Sequence, residues 1–293
     1  MGRAKEFSEE IEKQAISNYI EKKQGLGTAG KEFGISQHMM EKILKKYQIP
    51  KRTYTEAKQA GRKYPCNDNY FKTQSADMAY ILGFIASDGY ISAKENCISI
   101  ELQQQDQDIL CQMAEKMEVT RPIQTQLRKN GHYTSTLRNW SSEWKKDLAH
   151  YGITNKKTFT LQPPELLLPE YRIDYIRGYF DGDGCISTSV AKNGKGTTYN
   201  KNTFEIIGAS KAEIDWIRDE LINHYYIILN KPSCYTLKSG TIMYNIITTN
   251  RTEIQKIYNL FYNSESSLYL RRKKEKFETL LNIPRDSNSS SEE

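Results

Sequence analysis

The chain has 293 residues, a formal net charge of +6 and a pI near 8.8, enough for two domains or for one duplicated domain with an appendage. Its mildly basic balance favours a polyanionic partner such as nucleic acid. No run of about 18 apolar residues is present, which argues against a membrane-spanning helix, and the polar opening MGRAKEFSEEIEKQ does not read as a secretory signal. Gly2 suggests N-myristoylation, but Glu6 stands where that motif needs Ser or Thr. The five cysteines (Cys66, Cys97, Cys111, Cys185 and Cys234) are scattered, with no Cys-x-x-Cys. Likewise, His38, His132, His150 and His224 form no ligand pair, so zinc sites and histidine-centred nucleases lose support. The thiols are expected to be reduced and mostly buried in a cytoplasmic protein.

Residues 1–49 read as a small all-α unit. Ser8 can cap a first helix, whose Ile11, Ala15, Ile16 and Tyr19 fall on one stripe. A short helix over TAGKEF, the turn Gly34-Ile35-Ser36 and a third helix from Gln37 follow. The pattern is that of a helix-turn-helix, with Gln37, His38 and Glu41 presented to bases and Lys42, Lys45 and Lys46 to phosphates. Residues 50–69 form a basic linker, PKRTYTEAKQAGRKYP and the few residues after it. It can track phosphates or merely be solvated.

From about 70 the chain repeats itself. An apolar run ending in Asp88-Gly89-Tyr90-Ile91-Ser92 recurs as one ending in Asp183-Gly184-Cys185-Ile186-Ser187. After each come a hairpin, a helix, a second hairpin and a closing helix, so residues 70–168 and 169–283 each read as αββαββα. The expected fold class is therefore α+β, two pseudo-symmetric halves behind an all-α unit. Residues 284–293 form a low-complexity tail expected to be disordered. In the second half the stretch VAKNGKGTTYNKN is expected to be a long loop carrying Lys192, Lys195 and Lys201.

The two apolar helices carry two oddities. A carboxylate in the last turn lies at the negative end of the helix dipole. Gly83 and Gly178 sit inside the helices, where Gly costs about 1 kcal/mol against Ala. Both make sense if the helices pair closely through the glycines, bringing Asp88 and Asp183 together. Two carboxylates at two negative ends then need neutralising, and hard oxygen ligands without His or Cys favour Mg²⁺.

ILGFIASDG (81–89) and IRGYFDGDG (176–184) resemble the LAGLIDADG motif of homing endonucleases, and the likeness runs from about 70 to 282. The resemblance implies motif helices at the interface of two αββαββα halves and catalytic metal on Asp88 and Asp183. The earlier acidic position of the motif is Asp181 in the second copy but Ala86 in the first. The resemblance also points to a basic residue near each centre, Lys157 in GITNKKTFTL and Lys273 in YLRRKKEKF. It further implies a long double-stranded DNA site and Mg²⁺-dependent cleavage leaving short 3′ overhangs, with Mn²⁺ as a substitute. The chain is expected to act as a monomer in a bacterial, phage-infected or organellar compartment, away from membranes.

The sheets would then read the major groove. Strand alternation puts Ser99, Glu101 and Gln103 on one face, away from Ile98, Ile100 and Leu102. The next hairpin adds Gln124, Gln126, Arg128 and Arg138, with Ile123, Thr125 and Leu127 turned inward. Gln and Arg suit adenine and guanine edges. A non-cleaving DNA-binding regulator or an RNA maturase on the same scaffold remains the alternative. An intein endonuclease is least expected, since the chain ends SNSSSEE rather than in the His-Asn of protein splicing.

Overall fold

The computed structural model describes residues 7–53, 56–57, 61–194 and 196–282. They divide into two compact units, one up to Pro65 and one from Cys66 onward.

In the first unit, Ser8 caps helix α1 (Glu9–Ile20) by accepting from the Ile11 amide, and Ser36 caps helix α3 (Gln37–Lys46) by accepting from Met39. The helix expected over TAGKEF is instead a single turn, α2 (Leu26–Ala29), followed by a 3₁₀ turn over Lys31–Phe33. Gly34 then turns the chain in the left-handed region at φ 66°, and Ile35 enters the core with Ala15, Tyr19, Ala29, Met40, Ile43 and Leu44. The start of the basic linker belongs to this unit. Arg52 lies 4.1 Å over the Tyr19 ring and donates to the carbonyls of Gln24 and Tyr19, and Lys51 pairs with Glu41.

The second unit is α+β, built from two αββαββα halves. The first runs through α4 (Ala76–Asp88), β1 (Gly89–Ile91), β2 (Cys97–Gln103), α5 (Gln107–Lys116), β3 (Gln124–Leu127), β4 (Tyr133–Trp140) and α6 (Ser142–His150). A one-turn helix, α7 (Lys157–Thr160), leads to the second half: α8 (Arg172–Asp183), β5 (Gly184–Lys192), β6 (Thr198–Gly208), α9 (Lys211–Asn223), β7 (Ser233–Thr236), β8 (Ile242–Thr248) and α10 (Arg251–Tyr262). A further helix, α11 (Arg271–Asn282), follows. The antiparallel sheets have matching orders, β1-β2-β4-β3 and β5-β6-β8-β7.

Helices α4 and α8 are buried on every side over most of their length, as befits helices at the centre of a molecule. One contiguous apolar core spans both halves, with Phe180 stacked on Phe204 at 5.0 Å and Phe261 and Phe277 beside them.

Three further expectations need correction. VAKNGKGTTYNKN is mostly strand, because β5 and β6 stay paired out to Lys192 opposite Thr198. Only Cys97 among the cysteines is buried; Cys111, Cys185 and Cys234 are exposed on helix or strand faces that nothing covers. Leu127 faces solvent at 54 % exposure, on β3 at the edge of its sheet, a strand exposed along its whole length. The tail expected over 284–293 lies outside the described residues.

Candidate active site at the paired helix ends

The glycines inside α4 and α8 set the distance between the helices. A Cβ on Gly83 would stand 2.0 Å from the Tyr175 carbonyl oxygen, and one on Gly178 would stand 2.0 Å from that of Tyr80. Each helix therefore lies against the other's backbone at these points, and a side chain of any size is excluded. The stop glycines, Gly89 and Gly184, are extended (φ −70° and −87°), so left-handed freedom is not what they supply. Space is the reason: a Cβ would meet the Ile85 carbonyl oxygen or the Phe180 ring. The chain thus passes from each aspartate straight into the first strand of its sheet.

Two lysines satisfy the carbonyls left over at these helix ends. The Lys157 Nζ donates to the Ala86 carbonyl at 2.9 Å and also to that of Ser87. The Lys273 Nζ donates to the carbonyls of Phe180 (2.5 Å), Asp181 (2.7 Å) and Gly182 (3.3 Å). Lys273 is only 3 % exposed and lies over the Phe180 ring, whereas Lys157 is half-buried on the single turn of α7. An ammonium at each negative helix end offsets the dipole that makes a terminal aspartate unfavourable.

The four charged side chains feel one another. Asp183, half-buried, has its carboxyl pushed up to about 6, first by loss of hydration and then by the charge of Asp88, against the pull of Lys157 and Lys273. Asp88 opens to solvent on one side, but crowding by protein on the others still raises its carboxyl against Lys273, Lys157 and Arg272. Burial lowers Lys157, and it lowers Lys273 to about 8, with the aspartates opposing both shifts.

Asp181 also acts on Lys273 by its charge, but its hydrogen bonds go elsewhere. Buried, it accepts from the Tyr80 hydroxyl across the helix pair at 2.7 Å and from the Leu270 amide at 2.8 Å. It thereby pins the start of α11, three residues before Lys273. Arg271 and Arg272 reach from there to Asp108 (3.1 Å) and Asp106 (2.8 Å) in the first half. The sequence reading assigned Asp181 no role and passed over Tyr80. The available signal was an acid in one motif copy where the other has Ala, because it implies an unequal partner across the interface.

Two carboxylates, Asp88 and Asp183, are the acidic side chains at these helix ends that a metal could use. Among the described residues no group of three or more His, Cys, Asp or Glu could hold an ion. That donor set fits a hard dication of the magnesium type, which takes one or two carboxylates and completes its shell with water and phosphate oxygens.

On the outer face of the first sheet, Glu101, Gln103, Gln124 and Gln126 are exposed, and Arg128 and Arg138 partly so. Ser99 shares that face but is only 8 % exposed, flanked by Tyr90 and Arg138 on the neighbouring strands. Arg128 already pairs with Glu101 and donates to the Thr134 hydroxyl at 3.1 Å. In the second sheet Lys192 and Lys201 lie on opposite faces of the β5–β6 hairpin, since Lys201 pairs with Ser189 and Lys192 with Thr198. Lys195 lies outside the described residues. The sequence reading did not assign the outer face of this sheet, where Asn245 donates to Glu205 at 2.7 Å. In the first unit Gln37 and His38 are exposed at the start of α3. Lys46, expected at phosphates, is bound to Glu12 at 2.6 Å.

No family model matches the chain. The alpha subunit of the ribonucleoside-diphosphate reductase NrdEB of Bacillus subtilis (strain 168), and that of Bacillus phage SPbeta, are 28% identical over 214 residues. The match covers 64% of this chain and 18% of theirs, so the chain spans under a fifth of their length. Among solved structures, the chain is similar to the LAGLIDADG meganuclease I-AabMI bound to uncleaved DNA. The identity is 11%, 72% of this chain and 91% of that one are covered, and the TM-score is 0.47. It is also similar to the LAGLIDADG homing endonuclease I-LtrWI bound to target DNA, with 15% identity, coverage of 74% and 91%, and a TM-score of 0.44.

Proposed function

We propose that this chain is a site-specific endonuclease that hydrolyses both strands of duplex DNA with a divalent metal, Mg²⁺ by preference and Mn²⁺ as a substitute. One observation carries the reading: Asp88 and Asp183 end two helices packed backbone to backbone, and each helix end is capped by a buried or half-buried lysine. Asp88 and Asp183 would hold the metal. A dication bound there supplies Lewis acidity and a water of lowered pKa. Lys157 and Lys273 keep the helix ends tolerable for two carboxylates and lend positive charge toward a phosphate. The two sheet faces orient the duplex so that its backbone crosses the helix ends. By the motif resemblance, the products are short 3′ overhangs and the chain works as a monomer on a long site.

The three-helix unit would add DNA contacts as a helix-turn-helix through Gln37 and His38. Nucleotide reduction, the activity named for the curated relatives, is not proposed, because the match leaves most of their length uncovered.

Cleavage of a plasmid library in Mg²⁺ and in EDTA tests the proposal. Metal-dependent double-strand breaks at recurrent sites are expected. Specific binding without cutting in Mg²⁺ or Mn²⁺ would make the chain a regulator or maturase instead.

A further inference from the structure

The two sheets can be superposed residue by residue, because Gly89 lies opposite Ile100 just as Gly184 lies opposite Ile206. The registers then pair Glu101 with Ile207, Arg138 with Ile247, Thr134 with Met243 and Gln126 with Tyr235. All four positions of the second sheet lie on its outer face, alternating with the core residues Ile206 and Ile246. Ile207, Ile247 and Met243 are partly exposed, and Tyr235 is exposed. Ile207 and Ile247 are diagonal neighbours across β6 and β8, on the outer face that also holds the hydrogen-bonded pair Asn245 and Glu205. An uncovered sheet face is ordinarily polar, and the first sheet's is.

We propose that the two halves read different base chemistry. The first sheet takes purine edges through Gln and Arg, and the second takes thymine methyl groups through Ile207, Ile247 and Met243. The occupant follows from continuity with the site. Strand β5 begins at Gly184, the residue after Asp183, as β1 begins at Gly89 after Asp88. A duplex whose backbone meets both aspartates would extend along the strands that leave them. In the major groove, thymine is the base that offers a methyl to apolar side chains, whereas Arg and Gln find bidentate partners on guanine and adenine. The inference rests on the endonuclease reading only in taking the ligand to be duplex DNA.

The test uses the full chain in EDTA, where binding is read without cutting. Duplexes are selected from a random library, and each thymine of a selected duplex is replaced in turn by uracil, which lacks only the methyl. Affinity should fall about fourfold per contacted methyl, as for burial of one methyl-sized group, and only within one half of the site. Ile207→Thr and Ile247→Thr should remove that sensitivity, and Gln126→Ala should leave it intact while relaxing the other half. Uracil that is neutral everywhere, or that weakens binding equally in both halves, overturns the inference and leaves the endonuclease reading standing. Dimerisation of the free protein through this face, with uracil neutral, overturns it too. If no duplex is enriched, the DNA reading itself fails and the inference goes with it.

Discussion

Lys273 gives its ammonium to three backbone carbonyls at the end of α8, one of which, that of Phe180, also accepts from the Gly184 amide. Lys273→Met should therefore destabilise the fold even without metal or DNA, by about 2–3 kcal/mol, the cost of buried acceptors left unpaired. Lys157→Met, at a half-exposed site with two acceptors, should cost less. Thermal melting in EDTA reads both; equal melting temperatures for wild type and Lys273→Met would refute the capping role. Glu213 tests burial at a second place. It is 0 % exposed, accepts from the Tyr175 hydroxyl at 2.9 Å, and has one carboxylate oxygen without a partner. Burial raises its carboxyl to about 8, against the Tyr175 hydrogen bond. The native state then holds a proton that the unfolded chain releases above about 4.5. Its contribution to stability is fully present below that value and is lost as pH rises to about 8. Glu213→Gln should flatten the stability profile between those limits, and denaturant melts across that range would show a profile unchanged from wild type if the carboxyl were already ionised.

At the scale of the element, the glycine pair is the sharpest constraint. Gly83→Ala places a methyl inside contact distance of the Tyr175 backbone, which no rotamer change relieves. A loss of about 3 kcal/mol or more, or failure to fold, is expected from overpacking at a backbone contact. A stable Gly83→Ala protein with unchanged melting would show that the helices are not so close. This pairing was legible in the sequence, because a glycine at the same place in both copies of an apolar run leaves room for one backbone to approach another. The order of strands and helices was legible too, through alternation and the recurrence of the Asp-Gly-x-Ile-Ser run, whereas the caps Ser75, Ser141 and Ser210 emerge only in the structure. What could not be read was the reach of the β5–β6 hairpin, since a Gly- and Lys-rich stretch gives no alternation although its strands stay paired. Nor was the helix α11 seen as a helix; its basic run hides the positions, Lys273, Phe277 and Leu280, that turn inward. Asp181 and Tyr80 meet across the interface between the halves, a contact no local pattern contains.

For the molecule as a whole, the described units each enclose a core of their own, so they can be separated experimentally. A chain beginning at Cys66 should fold and keep its cutting activity while binding its site more weakly and with a shallower dependence on salt, since phosphate contacts of the N-terminal unit are lost. Filter binding across a salt series reads this; unchanged affinity and slope would leave the three helices without a part in DNA binding. The candidate centre itself depends on both halves at once, because each aspartate and each lysine acts on the others across the helix pair. The most direct measurement is therefore strand-by-strand cleavage of a mapped, end-labelled site by Asp88→Asn and Asp183→Asn. Each single variant should bind that site as wild type does and lose cutting of both strands by more than about a hundredfold, beyond the loss usual for a group that merely supports a metal's ligands. A variant that binds and still cuts both strands at the wild-type rate would contradict the shared two-carboxylate centre.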